Sequence, residues 1–193
     1  WYRWSNKTEH IVIEEGITGI GSEAFSSFTE TKSITMGESV KRINRMAFWA
    51  NVSLKEIKLS SNITVIQGDA LSGGRELETI KLPMRLRKMC SLSGQEKLEK
   101  IVMPDSITNM QSAMFSECKK LKYIKLPAKI REIKSYDFAG CKKLKKLTIP
   151  ESVKTVSMSA FAGSGLKKIV LPENVTTIKN GDAGRKVFQY IKG

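Results

Sequence analysis

The sequence predicts an α/β-type solenoid that is mostly β, with about eight coils of 21–23 residues and a parallel β-sheet on one face. Three observations predict it: a similar pattern recurs along the chain, each copy carries the same apolar positions, and all five prolines occupy one position of the pattern. The coils open at Thr8, Thr31, Leu54, Leu77, Leu98, Leu121, Leu144 and Leu166, at intervals of 23, 23, 23, 21, 23, 23 and 22 residues. A fixed period of this length is typical of a solenoid, because each coil buries its apolar side only against its neighbours.

Each coil is predicted to begin with a short strand. In the coil that opens at Leu121, the run Tyr123–Leu126 alternates polar and apolar residues and is stopped by Pro127, which has no N–H to continue a ladder. The inward apolar pair of this strand recurs in every coil, from Ile11/Ile13 to Ile169/Leu171. Strands from successive coils are expected to pair in parallel, about 4.8 Å apart.

Two further sets of apolar positions complete the predicted core. A second inward pair, spaced three residues apart, runs from Ile17/Ile20 to Val175/Ile178. An aromatic ladder follows it, with members Phe25, Phe48, Phe115, Phe138 and Phe161, and with Leu71 in place of one Phe. Each of these side chains contributes on the order of 1.5–3 kcal/mol when it is fully buried, so a long, thin core is sufficient.

The ends and the fourth coil depart from the pattern. We expect residues 1–7 to be the remnant of an N-terminal cap, residues 8–184 to form the solenoid, and residues 185–193 to be a C-terminal cap or tail. Trp1, Tyr2 and Trp4 are predicted to cover the first coil, and Val187, Phe188 and Ile191 the last. The fourth coil is two residues short and has lost its Phe, and the third ends on Gly73-Gly74. Either a long array tolerates this damage, or the thinner coils bend the solenoid and form an indentation for a partner.

Few residues are available for catalysis or metal binding. His10 is the one histidine and lies at an outward strand position, so neither a transition-metal site nor a serine–histidine pair is expected. Cys118 and Cys141 occupy the same repeat position in adjacent coils, and we expect buried free thiols there, with a disulfide as the alternative. Cys90 falls at another position and is interpreted as a lone thiol. No cofactor is predicted.

The pattern Leu-x-x-Ile-x-(Leu/Ile)-Pro-x-x-Val-x-x-Ile-x-x-x-Ala-Phe-x-x-Cys, clear in residues 11–25 and 145–166, resembles the BspA-like leucine-rich repeat family of bacterial and protist surface proteins. The resemblance covers roughly residues 8–180. It implies a right-handed leucine-rich-repeat solenoid with short turns or one-turn helices outside the sheet. It also implies a secreted or cell-surface bacterial module that is not an enzyme and that binds a host or neighbouring-cell protein or glycan, as an adhesin does. A component of the host extracellular matrix is one such ligand.

Positive charge is concentrated on one side of the predicted sheet. The chain carries a net charge of +14, and residues 117–168 alone contribute +10, from fourteen basic and four acidic side chains. The candidate binding face consists of outward strand positions: Lys58, Lys81, Lys100, Tyr123, Lys125, Lys146 and Lys168. Lys122, Lys145 and Lys167 form a column beside it, and Glu56 is the one acidic residue at these outward positions. Stacked lysines without interleaved acids either solubilise the chain or face an acidic partner.

The partner predicted for this face is an acidic protein or glycan, with Tyr123 as a contact anchor. A sulfated glycan is the alternative ligand, and nucleic acid is disfavoured because a stacking platform needs several exposed aromatic side chains. No run of about 18 apolar residues occurs, so no transmembrane segment is predicted. No charged-then-apolar leader occurs either, so we expect any signal peptide to lie outside these residues. The chain is expected to be a monomer.

Overall fold

The structure, a computed structural model, describes residues 5–179 and the backbone of Ile191–Lys192. It is a mostly β, parallel-sheet solenoid of about seven turns with almost no helix, which confirms the predicted fold. The strands are β1 (His10–Ile13), β2 (Gly19–Ile20), β3 (Ser33–Met36), β4 (Arg42–Ile43), β5 (Glu56–Lys58), β6 (Val65–Ile66), β7 (Thr79–Ile80), β8 (Lys100–Val102), β9 (Tyr123–Lys125), β10 (Glu132–Ile133), β11 (Thr155–Ser157), β12 (Val170–Leu171), β13 (Thr177–Lys179) and β14 (Ile191–Lys192). One 3₁₀ helix spans Met158–Phe161.

The first strands of coils 1–6 form a six-stranded parallel sheet, ordered β1-β3-β5-β7-β8-β9. His10 pairs with Ser33, and Lys100 pairs with Tyr123, each 23 positions further on. Between β7 and β8 the offset falls to 21, where Thr79 pairs with Lys100. The register therefore reproduces the repeat intervals predicted from the sequence, including the short one.

A second row of strands lies where the sequence analysis expected turns. The sheets β2-β4-β6 and β10-β11-β13 carry the second member of the spaced apolar pair, such as Ile20 and Ile43 in the first of them. These strands are two or three residues long, too short for an alternating pattern to reveal. The row is interrupted in coil 5, where residues 109–110 form no strand.

The aromatic ladder runs through the core without a gap. Phe138 is fully buried, and its ring stacks between Phe115 and Phe161 with centroid distances of 6.0 Å. Coil 4 lacks the Phe, as the sequence shows, but Leu92 is fully buried at that position. Its N–H donates to the Met114 carbonyl of the next coil, as the N–H of Phe115 donates to that of Asp137. Coil 4 thus keeps its ladder residue, and the predicted indentation does not reach the core.

The two outermost coils contradict the predicted columns. Ile17 is 48% exposed and Ile178 is 39% exposed, although both were predicted to face inward. Ile17 lies in the first predicted coil and Ile178 in the last, whereas the fully buried members of these columns lie in the coils between them. Trp1, Tyr2, Trp4, Val187 and Phe188 lie outside the described residues, as does the side chain of Ile191. The cap and domain boundaries stay predictions.

One turn position adopts a left-handed backbone in seven successive coils, with φ between 57° and 81°. Its members are Ser27, Ala50, Gly73, Gly94, Glu117, Gly140 and Gly163. Gly73 is therefore a regular member of the turn and not an added flexible residue. The conformation recurs because each coil must change direction at the same point, and glycine adopts it without steric cost.

A buried carboxyl group interrupts a column of small residues. Asp137 occupies the position held by Ala47, Ala70 and Ala160 in other coils, and it is fully buried. Its Oδ2 accepts a hydrogen bond from the backbone N–H of Lys134 at 2.7 Å, and its Oδ1 accepts one from Met114 at 3.4 Å. Burial raises the pKa of this carboxyl group from 3.8 to about 7, since the interior disfavours the charged form.

Among the described residues, no helix is long and apolar enough to cross a membrane.

Replacing Phe138 by Ala tests the ladder. The change is expected to lower the free energy of unfolding by about 3–5 kcal/mol, because it removes a fully buried ring and leaves a cavity. Lys125→Ala, on the exposed face, is the control and is expected to stay within about 0.5 kcal/mol. Urea denaturation of both variants measures the difference, and equal effects would contradict the register.

Gly94→Ala tests the left-handed turn. The added methyl group meets nothing within 4 Å, but φ is +81°, so the cost is purely a backbone cost of about 1–2 kcal/mol. Gly68→Ala is the matched control: it also has open space around it and lacks a left-handed φ, so it is expected to be neutral or slightly stabilising. Thermal denaturation distinguishes the two. A Gly94→Ala variant as stable as its control would disprove the turn assignment.

Asp137 predicts a pH-dependent stability. Between about pH 4 and pH 7 the folded state holds a proton that the unfolded state has released, so this group's contribution to stability falls as the pH rises through that window. Relative to Asp137→Asn, which cannot titrate there, the wild type is expected to lose about 1.4 kcal/mol per pH unit at most. Urea denaturation of both proteins at pH 4.5 and 7.5 measures this, and a constant difference would mean that the carboxyl group is not held in its neutral form.

Candidate functional site

The seven residues predicted for the binding face are all exposed and lie along the long sheet or its continuation. We call this set the lysine face: Lys58, Lys81, Lys100, Tyr123, Lys125, Lys146 and Lys168. Lys58 lies in β5, Lys100 in β8, and Tyr123 and Lys125 in β9. The alternation of each strand explains this placement, because the residues between them point into the core. The binding role of the lysine face stays a prediction.

Tyr123 lies among cations and exposed apolar side chains. Its side chain is 50% exposed, and the Lys100 Nζ lies 5.2 Å from the ring centroid, which is a cation–π contact. Val102 pairs with Lys125 in the neighbouring strand and is 43% exposed. The arrangement offers a partner an aromatic and an aliphatic surface with positive charge around them.

Acidic residues pair with lysines beside the lysine face and with one lysine of the face itself, Lys125, which the residue pattern did not indicate. Lys122 pairs with Glu99 at 2.9 Å, Lys32 pairs with Glu9 at 2.8 Å, and the Lys125 Nζ lies 4.0 Å from Asp105. The hydrogen bonds from Lys32 and Lys122 lower the pKa of Glu9 and Glu99, respectively. Each pair joins residues of consecutive coils, so an acidic residue balances the positive charge of Lys32, Lys122 and Lys125 locally.

The charge is not balanced in the same way at coils 7 and 8. Lys145, Lys146, Lys167 and Lys168 line a depression of about 580 Å³, which we call the basic depression. Val170, Pro172 and the acidic Glu151 also line it. Within residues 5–179, none of the four lysines forms an ion pair. Uncompensated positive charge therefore lies beyond Tyr123, toward the C-terminal coils.

The basic depression forms where the long sheet is interrupted. Residues 145–149 occupy the repeat position of β9 but form no strand, and β12 of the next coil pairs with β14 instead. Sequence reasoning identified the lysines but missed the depression, because the pattern of apolar residues is unbroken in coil 7. The one local signal is the double lysine in both coils, at 145–146 and 167–168.

The thiols are not available for chemistry. Cys90, Cys118 and Cys141 are all free and buried, as predicted. The Sγ of Cys118 donates to the Leu92 carbonyl oxygen at 3.2 Å, and that of Cys141 donates to the Phe115 carbonyl oxygen at 3.1 Å. Burial raises the pKa of Cys90 and Cys141 to about 12 and that of Cys118 well above its ordinary value, so all three remain protonated.

The remaining chemical candidate, His10, is exposed on β1, where its Nδ1 lies 2.8 Å from the Ser33 Oγ. Across the part of the chain that the structure describes, no group of three or more His, Cys, Asp or Glu residues is placed to hold a metal ion.

The chain matches the family described as BspA type leucine rich repeat region (6 copies) over residues 1–93 and 88–182. Among solved structures it is similar to a leucine-rich repeat protein of T. pallidum, with 23% identity and a TM-score of 0.74 over 81% of this chain and 77% of that one. A leucine-rich repeat protein of Bacteroides ovatus ATCC 8483 gives 21% identity and a TM-score of 0.72 over 88% of this chain.

The chain spans about half of the Bacteroides ovatus protein, 53% of its length. The pneumococcal vaccine antigen PcpA is similar at 20% identity, with a TM-score of 0.51 over 89% of this chain and 58% of that one. At these identities the likeness concerns the fold. No curated protein sequence matches the chain.

Proposed function

Because the chain belongs to the BspA-type leucine-rich repeat family, we propose that it is a binding module that recognises an acidic protein through the lysine face and the adjoining basic depression. It acts by binding and not by catalysis. The observation that carries this proposal is the continuity of the two features: Tyr123 and Val102 offer apolar contact area, and uncompensated lysines lie immediately beyond them.

The two parts of this surface have different roles in binding. Partly exposed aromatic and aliphatic side chains supply contact energy, since they lose water when a partner covers them. The lysines supply attraction at a distance, which speeds the encounter and rejects basic partners. A surface that combines both fits a folded acidic protein better than it fits a uniform polyanion.

The proposed setting is outside the cell. The family supports a secreted or surface-exposed bacterial module, which we take to be monomeric and adhesin-like. Its ligand is then a protein of a host or of a neighbouring cell, including the components of an extracellular matrix. The charge of the lysine face selects the acidic members of that class.

A sulfated glycan is the second candidate ligand. Four lysines around one depression favour it, because sulfate groups contact several ammonium groups at once. Nucleic acid is less suited to this face, where Tyr123 is the single exposed aromatic side chain among the seven residues.

The proposal is tested by reversing charge on the face. The triple change Lys125→Glu, Lys146→Glu and Lys168→Glu leaves every inward column in place, so folding is expected to persist. Binding to an acidic matrix protein, found by screening a panel on a biosensor, is expected to weaken by about tenfold or more, mainly through a slower association rate. The matched control is Lys41→Glu, Lys88→Glu and Lys142→Glu, three exposed lysines off this face with the same change in charge.

Equal weakening of binding in both triple variants would mean that the net charge of the chain, and not the lysine face, attracts the ligand. Unchanged binding in the first variant would mean that the lysine face is not the binding site.

Salt distinguishes the two ligand classes. Binding of heparin, as a sulfated glycan, is expected to fall steeply between 50 and 200 mM salt, because each contact releases counterions. Binding of a protein held partly by Tyr123 and Val102 is expected to fall less.

A further inference from the structure

We propose that the chain carries a second binding site, separate from the lysine face, which takes the sulfate or carboxylate group of an acidic saccharide. The site is a pocket of about 810 Å³ where coils 5, 6 and 7 meet beside the second row of strands. We call it the lateral pocket; its polar lining includes Thr108, Asn109, Lys129, Arg131, Lys134 and Lys154.

The lateral pocket lies where the second strand row resumes. β10 and β11 pair in coils 6 and 7, but coil 5 provides no strand beside β10. Thr108 and Asn109, at the position of the missing strand, line one side of the pocket, and Lys154, next to β11, lines the other. The lateral pocket thus lies where the regular pairing of the second strand row is interrupted.

Positive charge dominates the pocket. Four cations line it, Lys129, Arg131, Lys134 and Lys154, against two carboxylates, Glu132 and Glu151. Glu132 is already bound by the Lys179 Nζ at 2.8 Å. In residues 5–179, none of the four cations forms an ion pair, so their charge is available to a ligand.

Neutral amides position two of these cations. The Lys134 Nζ donates to the Asn109 Oδ1 at 2.8 Å, and the Lys154 Nζ donates to the Asn174 Oδ1 at 3.4 Å. Asn174 also donates to the Glu151 Oε2 at 3.4 Å. An amide oxygen holds an ammonium group without cancelling its charge, so the contacts orient the cations and leave the pocket positive.

Arg131 is the best-placed group for an oxyanion. Its carbonyl oxygen accepts hydrogen bonds from the backbone N–H groups of Lys154 at 2.8 Å and Thr155 at 3.2 Å, which anchors its backbone to the next coil. Its side chain is exposed and lines the pocket. A guanidinium group presents a planar fork of donors that matches the two oxygens of a carboxylate or a sulfate.

The rest of the lining indicates a saccharide as the carrier of that anion. Sites for small ligands have volumes of about 300–1,000 Å³, and the lateral pocket is within this range. Its lining includes hydroxyl and amide groups, those of Thr108, Ser152 and Asn109. Hydroxyl and amide groups bind the hydroxyls of a sugar ring, whereas no aromatic side chain lines the pocket to stack on a nucleobase.

The test uses three defined disaccharides: a sulfated one, an unsulfated one that contains a uronic acid, and neutral lactose. Isothermal titration calorimetry at 50 mM salt is expected to detect binding of at least one acidic disaccharide and none of lactose. The change Arg131→Gln with Lys154→Gln is expected to weaken that binding by about tenfold or more, since it removes two charge-assisted contacts. The sulfated and uronic arms identify which oxyanion the pocket prefers.

The matched control is Lys41→Gln with Lys88→Gln, which removes the same charge from two exposed positions outside both the lateral pocket and the lysine face and is expected to leave disaccharide binding unchanged. A second pocket variant, Lys129→Gln with Lys134→Gln, keeps the side chains of Arg131 and Lys154 and is used if the first variant melts at a lower temperature. Equal loss in the control, no loss in a folded pocket variant, or binding of lactose as tight as that of the acidic disaccharides would overturn the proposal. None of these outcomes bears on protein binding by the lysine face, which is measured with different variants and ligands.

Discussion

The hydrogen bonds between successive coils are the constraint on which the rest of the structure depends. They place each residue beside the residue one repeat later, as His10 lies beside Ser33 and Lys100 beside Tyr123. Any property of a repeat position therefore extends along the molecule as a column. Apolar positions become a continuous core, a left-handed turn residue recurs in seven coils, and Lys122 lies one layer from Glu99, with which it pairs.

The sequence predicted the register and most of the core because both depend on local alternation and on a fixed period. It failed where the environment differs between coils: Ile17 and Ile178 share the pattern of buried residues but lie in the outermost coils. Coil 4 lacks the Phe of the ladder, and the pattern did not indicate that Leu92 fills the column in its place. The exposure of the lysine face followed from strand alternation, but the basic depression and the lateral pocket depend on where strands stop pairing, which no residue pattern reports.

Charged residues also form columns, and the two ends of the chain therefore differ in charge. Coil 1, residues 8–30, contains five glutamates and no lysine or arginine, and Glu9 pairs with Lys32 of the next coil. Acidic turn residues also bind the following coil directly, as Glu15 accepts hydrogen bonds from the backbone N–H groups of Glu38 and Ser39. In coils 7 and 8 the same two repeat positions hold lysine in both coils, so a positive field extends into solvent at that end.

The direction of the coil-to-coil hydrogen bonds has a mechanical consequence. Bonds between parallel strands lie across the strands, so in a stack of coils they are aligned with the direction in which the coils succeed one another. A force that pulls the ends of the stack apart therefore acts along these bonds, and the layers separate one after another by peeling instead of resisting together by shear. Each coil of 23 residues that comes free releases about 75–80 Å of extended chain. Such a stack lengthens in steps under tension, and its remaining coils stay folded while the outer ones take up the load.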